Sequence, residues 1–279
     1  MVCMLRFGLA LPLCLLPCAA SAQAPTQTVV HTTGALRATY ETYAAGMHVA
    51  GVETGLNFGR WTYQLDLSYH TTGMVGIFFR GHQFAVVDGS WHGLRAEPSH
   101  FVGEGFWRGI DRQADIEYKD GTPIIRQLVP PNDTEREPVP NALQANTIDT
   151  LSALAELIRV VDATGRCETA VRTYDGRRAV ALEAHTVGEE VLEPTDRSSF
   201  AGNTLRCDFS GRMLAGFLLG DDRERDSKPM HGSAWLAPVV AGGLRLPVRM
   251  AFETRWFGEA TMYLTDIGPG ADVKVARGN

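Results

Sequence analysis

The sequence predicts a mainly β protein in which a curved antiparallel sheet, a half-barrel, wraps around one central α-helix. Two observations lead to this prediction. After residue 35, apolar and polar residues alternate along much of the chain, as they do in strands with one buried face. Residues 149–162 instead carry apolar side chains at helical spacing. One helix packed on a curved sheet would bury the apolar faces of both.

The strands are predicted from this alternation. In the clearest case, five apolar residues alternate with four polar ones over residues 61–69. A hairpin is predicted over residues 248–264, where Gly258 interrupts the alternation. Further strands are predicted at 36–43, 47–57, 77–87, 94–103, 114–118, 122–128, 167–174, 178–186, 204–218 and 233–237.

The helix has both of its end signals. Asp149 can cap its first turn, and its negative charge suits a helix start. Gly165 is a suitable stop. We expect the helix to fill the concave face of the sheet through an apolar stripe formed by Leu151, Leu154, Ile158 and Val161.

Residues 1–22 have the features of a cleavable signal peptide. Arg6 precedes an apolar stretch at residues 7–18, and small residues lead up to Ala22. The apolar stretch is shorter than the ~20 residues that span a bilayer. We therefore expect cleavage after Ala22 and a periplasmic protein with no integral membrane span. Lipid modification at Cys18 and a retained signal anchor are the alternatives.

The rest of the chain is predicted to form one domain. Residues 23–34 form a flexible lead, residues 35–268 the single β-rich domain and residues 269–279 a C-terminal tail. A proline-rich linker occupies residues 130–140. The alternative is a domain boundary at 130–147, but the chain after the helix would then have to close a sheet alone.

Composition excludes some classes of partner. The chain has 26 basic and 32 acidic residues, a formal net charge of −6, and no basic cluster. Nucleic-acid binding depends on lysine and arginine neutralising phosphates, so we expect no nucleic-acid partner. A polybasic membrane patch is excluded on the same ground.

Two cysteines remain after signal cleavage, because three of the five lie within residues 1–22. An even number in an oxidising compartment predicts a disulfide between Cys167 and Cys207. Two buried free thiols are the alternative. A zinc site is not predicted, since no histidine pair lies near either cysteine.

The sequence contains no strong catalytic motif. The serine of residues 89–93 lies one place too early for a nucleophile elbow, and neither a metalloprotease helix motif nor a phosphate-binding loop occurs. The eight histidines are scattered, and the glycine-rich residues 103–109 fit a bulged strand. We therefore predict a protein that is not an enzyme and has no catalytic residue, metal or cofactor.

Aromatic residues are concentrated in the first half of the chain. A curved sheet with more apolar side chains than one helix can cover would leave a groove for an apolar ligand. Our candidates for its lining are Trp61, Tyr63, Phe79 and Trp107, which come from separate predicted strands. The alternative is that all four belong to a closed core.

Five motifs within residues 40–207 resemble the DUF3108 family of exported bacterial proteins, and the similarity runs from about residue 36 to 266. They are residues 40–51, 72–76, 150–154, 167–178 and 205–207. The resemblance implies a periplasmic protein with a curved antiparallel sheet, no established reaction and no assigned catalytic residues. The implied shape is similar to that of the lipoprotein carriers LolA and LolB.

Three functions are compatible with these features. The first is non-enzymatic binding of an apolar or lipid-like ligand, or of an unfolded envelope protein. The second is an envelope assembly or structural role through protein–protein contacts at an exposed sheet edge. The third is a hydrolase whose catalytic residues form no recognised motif.

Overall fold

The computed structural model describes residues 35–78, 80–107, 109–240, 242–254 and 258–270. Within these ranges the protein is mainly β, with thirteen strands in one antiparallel sheet. The strands are β1 (Leu36–Ala44), β2 (Met47–Phe58), β3 (Thr62–Thr71), β4 (Gly81–His92), β5 (Arg95–Trp107), β6 (Ile110–Lys119), β7 (Thr122–Val129), β8 (Thr169–Tyr174), β9 (Ala179–Leu192), β10 (Gly202–Ala215), β11 (Met230–Pro238), β12 (Arg245–Thr254) and β13 (Gly258–Pro269).

Four α-helices accompany the sheet in the described ranges. They are α1 (Gly73–Phe78), α2 (Asn141–Gln144), α3 (Thr150–Thr164) and α4 (Arg223–Asp226). The helix predicted at 149–162 corresponds to α3, which is capped at Asp149 and ends at Gly165 in the left-handed conformation. The three shorter helices were not predicted.

The sheet is a meander with the order β7-β6-β5-β4-β3-β2-β1-β13-β12-β11-β10-β9-β8. The first and last strands pair along their length, with Leu36 opposite Pro269 and Ala44 opposite Ala260. This pairing joins the two halves of the chain in the middle of the sheet. It leaves β7 and β8 as the two edge strands.

The chain between β7 and β8 nearly closes the sheet into a barrel. Just before α3, Ile148 forms a parallel bridge with β8, because its N–H donates to the carbonyl of Arg172 and its carbonyl accepts from Tyr174. Close by, the N–H of Asn146 donates to the carbonyl of Gly121 in the β6–β7 turn. The result is a barrel-like sheet with the connecting segment across its gap.

The antiparallel strands place the loops at two ends of the sheet. We call one end the α1 rim; it carries α1, the β1–β2 and β5–β6 turns, the β8–β9 turn and the β10–β11 loop. The other end, the α3 rim, carries the β2–β3 and β4–β5 loops, to which α3 is hydrogen-bonded.

The main core lies between α3 and the strands. Leu151, Ala155 and Ile158 of α3 pack in one buried cluster with side chains of β2 to β6 and of the β12 region, including Phe58 and Leu65. Leu65 and Ile158 are at most 1 % exposed. Three residues of the predicted apolar stripe, Leu151, Ile158 and Val161, are therefore buried, and the fourth, Leu154, is half-buried.

The predicted disulfide between Cys167 and Cys207 is present, with Cα atoms 5.8 Å apart. Both cysteines are fully buried, in a cluster with Val161 of α3 and Leu236 of β11. The bond ties the exit of α3 to β10. A disulfide of this kind fits an oxidising compartment.

The structure corrects one predicted strand. A strand was expected at 77–87, but the chain forms α1 up to Phe78 and β4 begins only at Gly81. Residues 74–79 are a continuous apolar run without alternation, and such a run does not distinguish a strand from a short helix. The signal peptide and lead at 1–34 lie outside the described residues, as does the tail after residue 270.

Candidate functional site

Helix α3 begins in a buried hydrogen-bonded chain that fixes its position. The Asp149 carboxylate accepts from the N–H of Ser152 at 2.8 Å and from its hydroxyl at 2.5 Å. The Ser152 hydroxyl also lies 2.6 Å from the hydroxyl of Tyr63 on β3. Burial raises the pKa of Asp149, and the bonds from Ser152 oppose this shift. The chain has no exposed member, so it serves as a helix cap and anchor rather than as a reactive site.

Two further side chains tie α3 to the β4–β5 hairpin. Glu156 accepts from the N–H of Ala96 at 2.8 Å and so pairs a backbone group of β5. Arg159 donates to the carbonyl of Gly93 at 3.1 Å, and its guanidinium lies 4.3 Å from the ring centroid of Trp91. These contacts hold the helix over the interior of the sheet at the α3 rim.

An apolar cavity of about 40 Å³ lies beneath the helix. Its wall is formed by α3 together with residues of β1, β2, β3, β12 and β13. Nine of the eleven lining residues are aliphatic, proline or methionine, and the set is Tyr40, Val52, Thr54, Leu56, Leu67, Leu154, Ile158, Leu246, Pro247, Met250 and Met262. Five of these, including Leu154 and both methionines, are only half-buried, so the cavity wall reaches the surface. The arrangement can bind apolar groups and offers no charged side chain to a ligand.

Of the four residues predicted to line a groove, the three that the structure describes are not brought together there. Tyr63 is 2 % exposed and belongs to the core, whereas Trp61 is 68 % exposed in the β2–β3 loop. Trp107 lies against Gly81 at the α1 rim, where a side chain on Gly81 would clash with its ring. Since Tyr63 pairs with the other end of β4, it is about 26 Å away along that strand. Phe79 lies outside the described residues.

A larger, polar cleft of about 410 Å³ crosses β9 to β13. Four carboxylates and two histidines contribute to its lining, with His185 and His231 on different strands. Two of the carboxylates already have donors: Asp208 accepts from Ser233 at 2.6 Å and from Arg206 at 3.1 Å, and Glu253 accepts from the N–H of His231 at 3.2 Å. Among the residues the structure describes, no group of three or more His, Cys, Asp or Glu side chains could hold a metal ion.

The sheet, the covering helix and the apolar space between them define a β-barrel-like protein with an apolar interior. In the described part of the chain, none of the helices has the length and apolar character needed to cross a bilayer. The chain belongs to the DUF3108 family, described as a protein family of unknown function, whose model matches residues 37–265. No curated protein matches the chain significantly.

Three solved structures resemble this one at low sequence identity. A β-barrel-like protein of the DUF1849 family from Brucella abortus is 14 % identical with a TM-score of 0.50, over 84 % of this chain and 97 % of that one. This likeness supports a shared barrel-like fold.

The other two likenesses are weaker. An exported protein with a YmcC-like fold from Bacteroides fragilis is 10 % identical, with a TM-score of 0.35 over 85 % of this chain and 97 % of that one. An outer membrane lipoprotein-sorting protein domain from Vibrio parahaemolyticus is 9 % identical, with a TM-score of 0.25 over 86 % and 87 %. TM-scores of this size are too low to establish a shared fold.

Proposed function

We propose that this protein is an exported, periplasmic and non-enzymatic binding protein whose barrel interior, with α3 as its central helix, takes an apolar ligand such as an acyl chain. The observation behind this proposal is the apolar cavity between α3 and the strands. A space that is lined by apolar side chains, two of them flexible methionines, is a reasonable site for an apolar ligand. Export is supported by the signal-like residues 1–22 and by the buried disulfide.

The size of the cavity sets how a ligand would enter. Its volume is close to the ~30 Å³ of one water molecule, whereas ligand pockets occupy ~300–1,000 Å³. A chain of several methylenes must therefore displace part of the wall. Met250 and Met262 suit this, because methionine is unbranched and adapts its shape at little cost. Each buried methylene of the ligand would contribute about 0.8 kcal/mol before association costs.

The test is whether palmitate binds saturably to the delipidated mature chain. Binding is measured by native mass spectrometry and by displacement of a hydrophobic dye. Leu154→Trp fills the cavity from α3 and should weaken binding at least about tenfold. Ile77→Trp adds the same group at a position 74 % exposed and should leave binding unchanged. Near-ultraviolet circular dichroism verifies that both variants are folded.

Two results would count against this proposal. Absence of saturable binding by the parent chain rejects the apolar ligand, and equal loss in both tryptophan variants rejects the cavity as its site. Export is tested separately, because N-terminal sequencing of the exported protein should begin at Gln23. An intact Met1 or a lipid on Cys18 would contradict that.

A second candidate is a role in envelope assembly through protein contacts. Of the eleven exposed large hydrophobic residues in the described ranges, six lie at the α1 rim: Met47, Ile77, Ile110, Val129, Leu219 and Met230. Such a grouping at one end is typical of an interaction surface. A photo-crosslinker at Ile77 should then give a discrete adduct in cells, whereas one at Trp61, on the opposite rim, should not.

A further inference from the structure

Four arginines and two carboxylates meet where the β8–β9 turn packs against the end of β7, at the α1 rim. We call this group the arginine cluster, and it consists of Arg112, Arg136, Arg177, Arg178, Glu135 and Asp175. The turn is held close, because Gly176 packs against Ile125 and Leu128 of β7, and a Cβ there would lie only 3.0 Å from the Cδ1 of Leu128. The turn belongs to residues 167–178, one of the motifs that the apolar cavity does not use.

Two of the four arginines are neutralised by the two carboxylates. Arg112 donates to Glu135 through both terminal nitrogens, at 2.8 and 2.9 Å. Arg178 donates twice to Asp175, at 2.9 and 2.6 Å. The Arg112–Glu135 pair is bidentate, whereas both donors of Arg178 share one oxygen, the Oδ2 of Asp175, and each pair balances one positive charge with one negative charge. The cluster is therefore left with two positive charges, those of Arg136 and Arg177.

These two arginines have only backbone partners and carry unused donors. Arg136 donates to the carbonyl of Gly216 at 2.8 Å, and Arg177 donates to the carbonyl of Val129 at 2.6 Å. The Nε of Arg136 and the Nη1 of Arg177 are buried without a hydrogen-bond partner. Arg177 as a whole is only 9 % exposed. A buried charged donor without a partner is costly, so a cluster that retains two of them around the same two carboxylates is suited to an anion.

The ionisation of the cluster agrees with this excess of positive charge. Burial, and then the like charge of Arg178, lower the pKa of Arg136 to about 10. Burial and the like charge of Arg112 lower the pKa of Arg177 as well. Arg136 remains protonated at neutral pH, and an anion would offset the repulsion from Arg178 and Arg112.

We propose that the arginine cluster binds a phosphate group, either as free phosphate or as the headgroup of a phospholipid. Guanidinium groups match the geometry of phosphate oxygens and bind them through paired hydrogen bonds. Arg112 and Arg178 are 30 % and 45 % exposed and give the anion access from solvent, while Arg136 and Arg177 supply the unused donors and charge. The site is distinct from the apolar cavity, so either can exist without the other.

The experiment measures binding to the full mature chain in two arms at constant ionic strength. The first arm titrates inorganic phosphate, with chloride as the reference anion. The second uses phosphatidylcholine vesicles with and without phosphatidylglycerol. We expect a dissociation constant of about 1 mM or tighter in at least one arm. Binding of inorganic phosphate identifies the free anion as sufficient, and binding only to anionic vesicles identifies the headgroup as the ligand.

Matched variants locate the site. Arg177→Gln and Arg136→Gln each remove a donor and should weaken binding about tenfold. Arg126→Gln removes one charge from the exposed ion pair between Arg126 of β7 and Glu117 of β6 and should leave binding within about twofold. If a buried variant does not fold, the half-exposed Arg178→Gln replaces it. The proposal is overturned if neither arm shows binding, or if Arg126→Gln weakens binding as much as the cluster variants do.

Discussion

Reduction of the Cys167–Cys207 disulfide should cost a large part of the protein's stability. The bond closes a loop of 40 residues in the unfolded chain. The chain-entropy model gives about 4 kcal/mol for a loop of this length at 25 °C. Reduction changes no side-chain volume, and both cysteines stay in the same buried cluster. The expected loss therefore comes mainly from the freedom that the unfolded state regains.

The assay is urea unfolding monitored by tryptophan fluorescence, with and without a reductant, and it should show the loss of about 4 kcal/mol directly. In a parallel thermal melt, a loss of 4 kcal/mol for a chain of this size corresponds to a fall of about 8–16 °C in the melting temperature. The slope of the transition should also rise, because the reduced unfolded chain exposes more surface. The variant Cys167→Ala/Cys207→Ala is the control, and the reductant should have no effect on it.

A difference below about 1 kcal/mol between the oxidised and reduced parent chains would refute the reasoning. It would mean either that the thiols are not joined in solution or that the unfolded chain is already restricted between these residues. A large effect of reductant on the control variant would show that the reductant acts elsewhere.

Two further predictions concern the core and the β8–β9 turn. Ile158→Ala removes three buried carbons and enlarges the cavity under α3, so the free energy of unfolding should fall by about 4 kcal/mol. The same change at the exposed Ile77 is the control and should alter the free energy of unfolding by no more than about 0.5 kcal/mol. Equal effects would contradict the packing of α3. Burial acts to raise the pKa of Asp175, but Arg178 and backbone donors outweigh it and the pKa is lowered. Asp175 therefore stabilises the folded state above the unfolded-state pKa of about 3.9, and this contribution is lost as the pH falls through the lower folded-state value. Asp175→Asn should be less stable than the parent at pH 7, and it should lose less stability than the parent on acidification. Asp120→Asn, at an exposed turn, is the control and should show neither difference.

Local patterns in the sequence predict most of the fold. Alternation depends on one buried face per strand, and it identified the segments that became β1, β2, β7 and the β12–β13 hairpin. The helix was recognisable because its apolar spacing, Asp149 cap and Gly165 stop agree with one another. Strand β9 runs to Leu192, well beyond the predicted end at residue 186. The prediction stopped early because the second half of the strand has apolar side chains at exposed positions, such as Val187 and Val191, so apolar and polar residues do not alternate with burial there.

The cavity could not be predicted in the same way. Its walls come from β1, β2, β3, β12 and β13, which meet only because the first strand pairs with the last. The alternation within any one segment of the sequence does not indicate which distant strand that segment will pair with. Two of the aromatic candidates, Trp61 and Tyr63, lie apart for a related reason. Trp61 continues the alternation of Tyr63, but β3 begins at Thr62, so the indole falls in a loop and is exposed. Arg136 and Arg177 are likewise distant in sequence, and they reach one cluster only where the β8–β9 turn packs against the end of β7.

The pairing of β1 with β13 also determines at what point during synthesis the sheet can be completed. Thr39 and Thr265, for example, are hydrogen-bonded although 226 positions separate them. During synthesis β1 has a partner on one side only until residues 258–269 have been made. Contacts of such long range form slowly, and an unpaired strand edge invites aggregation. Any chain that ends before residue 258 would keep the edges of β1 and β12 open in what should be the middle of the sheet, so truncated products should be more prone to aggregation and proteolysis than the full-length protein.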